Sequence, residues 1–123
     1  MNLSGKSIRP FIGAKNYTIS RRFYRDLGFE EIITSEKMSY FHIEDFGFYL
    51  QDAYVKDWID NSMIFFEVND LDSTLKHFRD LALTDKYEHV RLSEIVYNEW
   101  GNEFFLHDPS GILWHFGKFN LHP

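Results

Sequence analysis

The sequence contains no cysteine. A disulfide framework, a thiolate metal centre and a thiol nucleophile are all excluded. With 3 prolines and 7 glycines in 123 residues, it has no linker or low-complexity segment to separate domains. There is no glycine-rich phosphate loop and no Gly-x-Ser-x-Gly elbow. No apolar run approaches the ~20 residues that a membrane span needs. The opening "MNLSGKSIRP" lacks the apolar centre of a secretory signal. A cytoplasmic protein without membrane contact is the expectation. Basic charge is also scarce, with 13 Lys and Arg against 19 Asp and Glu and a net charge of -6. That balance disfavours a nucleic-acid backbone as partner and suits a neutral or cationic ligand. Ordinary solubility would account for the same charge.

Aromatic residues are abundant at 19%, within 44% hydrophobic and 26% charged. A globular chain with a core rich in rings follows, and the length fits one domain. "IRPFIGA" (8–14) has strand alternation, and Pro10 cannot donate to a ladder, which places this strand at an edge or a bulge. Asn16 is an N-cap for "YTISRRFYRDL", where Tyr17, Ser20, Phe23, Tyr24 and Leu27 share one helical face. Gly28 suits the left-handed residue that ends a helix. "FEEIITS", "KMSYFHIE" and "FGFYLQDA" read as three strands, and "YVKDWIDN" as an irregular or short helical crossover. The plan then repeats. "SMIFFEV" is a strand, and Asp70 caps "LDSTLKHFRDLAL", with Leu71, Leu75, Phe78, Leu81 and Ala82 on one face. "HVRLSEIVYN", "NEFFLHD" and "ILWHFGKF" are the closing strands. "DPSG" (108–111) reads as a β-turn with proline second and glycine last.

The repetition extends to residues. "FYRDLGF" (23–29) lies on "HFRDLAL" (77–83) at an offset of 54, which also lays "SIRPFIGAK" on "NSMIFFEVN". "FGFYLQ" (46–51) lies on "SGILWH" (110–115) at an offset of 64. Each half therefore reads β-α-β-β-β, about residues 7–53 and 62–119, joined by a crossover at 54–61. A half of this size buries little surface alone. Packing two halves together, or exchanging them between chains, would supply the rest.

On "FYRDLGFEE", "FFEVNDLDSTLKHF", "WGNEFFLHDPSG" and "ILWHF", the sequence resembles the vicinal-oxygen-chelate superfamily of glyoxalases, extradiol dioxygenases and bleomycin-resistance proteins. The subgroup it resembles most is the bleomycin-resistance type. The resemblance implies an α+β fold of two βαβββ modules within a single domain (1–123). Their mixed sheets would curl around a cavity with the helices on the outer faces. It also implies a homodimer that exchanges strands or modules.

Metal-dependent members of that superfamily carry one ligand on the first and one on the last strand of each module. Carried over through the matched motifs, these positions are Arg9, Gln51, Met63 and His115. Arg9 is a permanent cation and Met63 a soft thioether, so no metal and no other cofactor is expected. Strand alternation from these positions puts Phe11, Tyr49, Phe65 and Glu67 on the same wall, and Ile12, Phe48, Leu50, Ile64, Phe66, Trp114 and Phe116 under the helices. Phe11, Tyr49 and Phe65 could equally be plain core. Trp100, before Gly101, borders a ligand groove or packs against another subunit; Trp58 reads as an interface residue. His107 faces the groove or steadies the turn beside Asp108. His42, His77, His89 and His122 read as solvated.

The candidate ligand-binding set is thus Arg9, Phe11, Tyr49, Gln51, Met63, Phe65, Glu67, Trp100, His107 and His115, with no catalytic residue assigned. The implied function is that of a small-molecule binding protein, holding a partly aromatic, neutral or cationic ligand without metal. The alternatives are a metal-dependent or metal-free lyase, isomerase or dioxygenase of the same fold, with Glu67 and His115 as an acid–base pair, or an interaction module.

Overall fold

In the helix after Asn16, five residues at helical spacing form one apolar stripe, and the structure buries all five. The structure is a computed structural model that describes residues 2–120; His122 lies outside them. Helix α1 (Tyr17–Leu27) starts where Asn16 Oδ1 accepts from the Ile19 amide and ends at Gly28, whose φ of 115° is the left-handed cap. Tyr17, Ser20, Phe23, Tyr24 and Leu27 are the buried residues. They pack on one face of a mixed four-stranded sheet of order β1-β4-β3-β2. The strands are β1 (Phe11–Gly13), β2 (Glu30–Ser35), β3 (Met38–Ile43) and β4 (Phe46–Gln51). β1 runs parallel to β4 and the other pairs are antiparallel. Pro10 sits at the edge as its chemistry requires, its carbonyl accepting from the Tyr49 amide at 2.9 Å. The core beneath α1 is a cluster of rings, with Tyr24 edge-on to Phe23, Phe29 and Phe48.

One charge is tied into this packing. Glu31 on β2 has a side chain only 8% exposed, beneath α1. Arg21 donates to it through Nε at 2.6 Å, Arg25 through Nη1 at 2.7 Å and Ser39 through its hydroxyl at 2.6 Å. The Tyr17 hydroxyl donates in turn to Ser39 Oγ at 3.1 Å. Burial alone would raise the Glu31 pKa, but the hydrogen bonds from Arg21, Ser39 and Arg25 outweigh it and hold it at about 2.

Residues 1–54 and 55–123 form two compact units. The second opens with the short helix α2 (Lys56–Asp60) in the expected crossover. It continues through β5 (Met63–Glu67), α3 (Leu71–Asp80), α4 (Leu83–Lys86), β6 (Arg91–Leu92), β7 (Val96–Tyr97), β8 (Gly101–His107) and β9 (Leu113–Phe119). Its sheet has the order β5-β9-β8-β6, with β7 also on β8, and β5 runs parallel to β9. Asp70 caps α3 by accepting from the Ser73 amide at 3.0 Å. Phe78 of α3 meets Phe104 and Phe116 edge-on over a back face that also buries Trp114.

Two expectations change here. The apolar run Leu81–Ala82 does not extend α3: Leu81 is its C-cap, Ala82 turns left-handed at φ 54°, and α4 follows. The strand expected over 89–98 is two short bridges: the Ser93 amide donates to the Phe105 carbonyl at 2.9 Å, but the Phe105 amide donates to the Ser93 hydroxyl oxygen at 2.8 Å instead of a backbone carbonyl, and the register with β8 has shifted by one residue at Val96. No helix is long and apolar enough to cross a membrane among the described residues.

Candidate functional site

Alternation along the strands leaves each sheet one face under its helix and one face open. In the first unit the open face carries a row of rings across β1, β4 and β3. Phe11, 58% exposed, stacks on Tyr49 with centroids 4.9 Å apart, and Tyr49 meets Tyr40 at 5.1 Å. The Arg9 guanidinium lies 4.2 Å over the Tyr40 ring and donates to the Tyr49 hydroxyl at 3.0 Å. That hydrogen bond raises the guanidinium's pKa further above its ordinary value. Gln51 is half-buried at the other end of the ladder, opposite Gly13. Arg9 precedes Gly13 by four residues, so about 13 Å of strand separates it from Gln51. The structure brings Arg9, Phe11 and Tyr49 together and leaves Gln51 apart.

In the second unit the open face is set by β5, β9 and β8. Met63, Phe65 and Glu67 alternate outward on β5, with Met63 66% exposed. Phe65 pairs with His115, and Glu67 with Gly117. Gly117 is what lets Phe65 lie down: a Cβ there would come within 2.5 Å of the Phe65 ring. The ring settles against Trp100 at 6.0 Å and Phe119 at 5.5 Å, and those two meet at 5.4 Å. Three partly exposed aromatic residues therefore form one surface.

His115 stands beside them, 6.4 Å from Phe65 and 5.0 Å from Phe105 by ring centroids. Its Nδ1 lies 2.8 Å from Glu103 Oε1, while Asn98 Nδ2 donates to Glu103 Oε2 at 3.2 Å. The carboxylate paired with His115 is therefore Glu103, not Glu67. His107 is half-buried on the same alternation of β8, opposite Arg91 and Leu113. Burial, and secondarily the Arg91 charge, depress its pKa, which favours the neutral ring. It does not hold the turn: Asp108 Oδ1 does so itself, accepting from the amides of Ser110, Gly111 and Ile112, each at 2.9 Å.

The sequence reading missed Tyr40, Glu103, Phe105, Asn98 and Phe119. On the middle strands it considered only His107 of β8, whereas Tyr40 lies on β3 and Glu103 and Phe105 lie on β8. Alternation on those strands was signal enough for these three. Phe119 lies four residues after His115 on β9, so the same alternation marked it too; Asn98 enters through the β7–β8 connection, where no pattern marks it. Trp58, on α2, is 72% exposed. A depression of about 310 Å³, lined by Asp70, Asp72, Tyr97, Asn102, Lys118 and Phe119 among others, adjoins this surface at Phe119 and contains none of the ten expected residues.

The four positions that would hold a metal in this fold do not fit one. The first unit offers one neutral amide, Gln51, and a guanidinium engaged with two tyrosines. The second offers a thioether, Met63, and one imidazole, His115, whose Nε2 is the lone good nitrogen donor of the four positions, too few to hold an ion. Among the described residues, no group of three or more His, Cys, Asp or Glu side chains is placed to bind an ion.

Neither a protein-family model nor a curated protein sequence matches the chain. Solved structures match it in fold. A bleomycin-binding protein from the bleomycin-producing Streptomyces verticillus, in complex with copper(II)-bleomycin, superposes with a TM-score of 0.81 at 20% identity, over 97% of this chain and 100% of that one. A bleomycin-binding protein complexed with bleomycin gives 0.79 at 16% identity, over 94% and 100% of the two chains. A lactoylglutathione lyase from Agrobacterium tumefaciens gives 0.71 at 16% identity, over 93% and 94%. The fold is the α+β fold of the glyoxalase and bleomycin-binding proteins.

Proposed function

We propose that the chain is a small-molecule binding protein of the bleomycin-resistance type. In this reading residues 1–123 act as one domain of a cytoplasmic homodimer. The dimer holds a partly aromatic, cationic ligand in a cavity, without metal and without chemical change. The observation that carries the reading is the surface of Phe65, Trp100 and Phe119, with centroids 5.4 to 6.0 Å apart, left uncovered on a sheet face that also bears Glu67 and Glu103. Exposed rings cost solvation unless a planar group covers them, and carboxylates beside them favour a cation. Phe11 on Tyr49 offers a second stacking platform in the first unit.

Titration with bleomycin, read by tryptophan fluorescence, tests this. Saturable binding is expected, weakened about five-fold or more by Trp100→Ala or Phe65→Ala, since a ring contact contributes about 1 kcal/mol. The absence of a saturable response up to millimolar drug would sink the reading. Light scattering should find a dimer, with Trp58 as a candidate contact.

The 2.8 Å contact between His115 and Glu103 favours one second reading, a metal-free acid–base enzyme of the same fold. Mass spectrometry of the recovered drug separates the two: unchanged bleomycin supports sequestration, and a converted product supports catalysis.

A further inference from the structure

His115 is held on three sides, and the fourth shows what the face selects. Its ring lies between Phe65 and Phe105. Its Nδ1 meets Glu103 Oε1 at 2.8 Å, and the other carboxylate oxygen accepts from Asn98. Asn98 is itself anchored, its amide donating to the Gly101 carbonyl at 2.9 Å and its carbonyl accepting from the Gly101 amide at 3.3 Å. A carboxylate only accepts, so the hydrogen of the neutral imidazole must sit on Nδ1. Nε2 is then a bare acceptor. It makes no protein hydrogen bond among the described residues, and no buried side-chain nitrogen or oxygen there is left without a partner, so Nε2 faces solvent.

From the Asn98–Glu103–His115 chain we infer that this face selects planar aromatic ligands carrying an N–H or O–H donor, which His115 Nε2 accepts beside the rings. The inference deepens the binding function proposed above and rests on it. Glu103 is a positioning residue: its two oxygens are engaged by His115 and Asn98, and it acts by fixing the tautomer of His115. A ring lacking the donor would still stack, but it would strip water from Nε2 without replacing the hydrogen bond.

The test has two arms, both on the full chain. The first is a long-range proton–nitrogen correlation spectrum of ¹⁵N-labelled protein at about pH 8.5, above the ordinary imidazole range, with the His115 signals assigned from His115→Gln. The expected result is Nδ1–H in the unaltered protein and a move toward Nε2–H in Glu103→Ala. Nε2–H in the unaltered protein overturns the inference whatever the variant does, so a poorly folded variant does not rescue it. The second arm titrates indole and benzofuran, which differ by one N–H, and follows Phe65, Trp100 and His115 by NMR. Indole should bind about five-fold tighter, the worth of one hydrogen bond, and the preference should vanish in Glu103→Ala. Equal binding of both probes at Phe65 and Trp100 overturns the inference and leaves the binding function standing. If neither probe perturbs those rings, the inference falls, and the bleomycin titration decides the binding function separately.

Discussion

Replacing Glu31 by glutamine removes one charge from beneath α1, and the structure says how much that should cost and at which pH. In the folded chain the carboxyl is held at about 2 against an ordinary 4.5. Each pKa unit is worth about 1.4 kcal/mol, so full conversion of the shift would give roughly 3.5 kcal/mol. Two of its partners are partly solvated, Arg21 at 27% and Arg25 at 46% exposure. Solvent screening reduces the contribution to about 2 kcal/mol. The sign follows from the depressed pKa. The stabilisation is complete above the unfolded value near 4.5 and is lost as pH falls from there toward 2. The assay is urea unfolding of the native protein and Glu31→Gln at a series of pH values, comparing midpoints and slopes. At neutral pH the variant should be less stable by about 2 kcal/mol. As pH falls toward 2 the two curves should converge, because the introduced amide no longer differs in charge from a protonated acid. A gap that stayed constant through the acid range would refute the electrostatic account. It would mean that shape alone makes Glu31 matter.

Gly117→Ala should lift the Phe65 ring from the sheet while changing urea stability by less than about 1 kcal/mol, because the colliding atom is a ring tip. Bleomycin binding should fall several-fold, and unchanged binding would show that Phe65 is not part of the surface. Elemental analysis and titration with Ni, Zn, Mn and Fe should find no stoichiometric tight ion; one that His115→Gln abolishes would show that these positions do hold a metal. Asn16→Ala should cost about 1 kcal/mol in urea unfolding through loss of the α1 cap, and no change would assign the start of that helix to tertiary packing.

The parts of the fold legible in the sequence were those set by local chemistry. Asn16, Gly28 and Asp70 act where their side chains or backbone preferences place them, and the alternating runs of β4, β5 and β9 gave the buried faces correctly. What was not legible depended on partners distant in the chain. Ala82 adopts a left-handed φ that no alanine advertises. The internal repeat preserved which face each residue occupies but not the register: Phe11 pairs with Tyr49, yet Phe65 pairs with His115 rather than Leu113. A slip of two residues keeps side chains on the same side, so periodicity cannot detect it. The alternative enzymatic reading paired His115 with Glu67, two residues from Phe65. The actual acid comes from the neighbouring strand, because cross-strand neighbours are set by pairing rather than by sequence distance.

In both sheets the last strand lies between the first strand and the one before it: β4 separates β1 from β3, and β9 separates β5 from β8. An opening strand therefore has no lateral partner until its unit's final strand exists. On the ribosome β5 must wait while residues 68–112 are made, roughly 2–9 s at ordinary elongation rates of about 5–20 residues per second. During that interval Ile64 and Phe66 have no sheet to join, and a chaperone or a neighbouring nascent chain competes for them. A premature stop before Leu113 would leave residues 1–54 with every strand they need, and the remainder without the strand that joins β5 to β8. The timing of synthesis thus falls hardest on the half that carries Trp100 and His115.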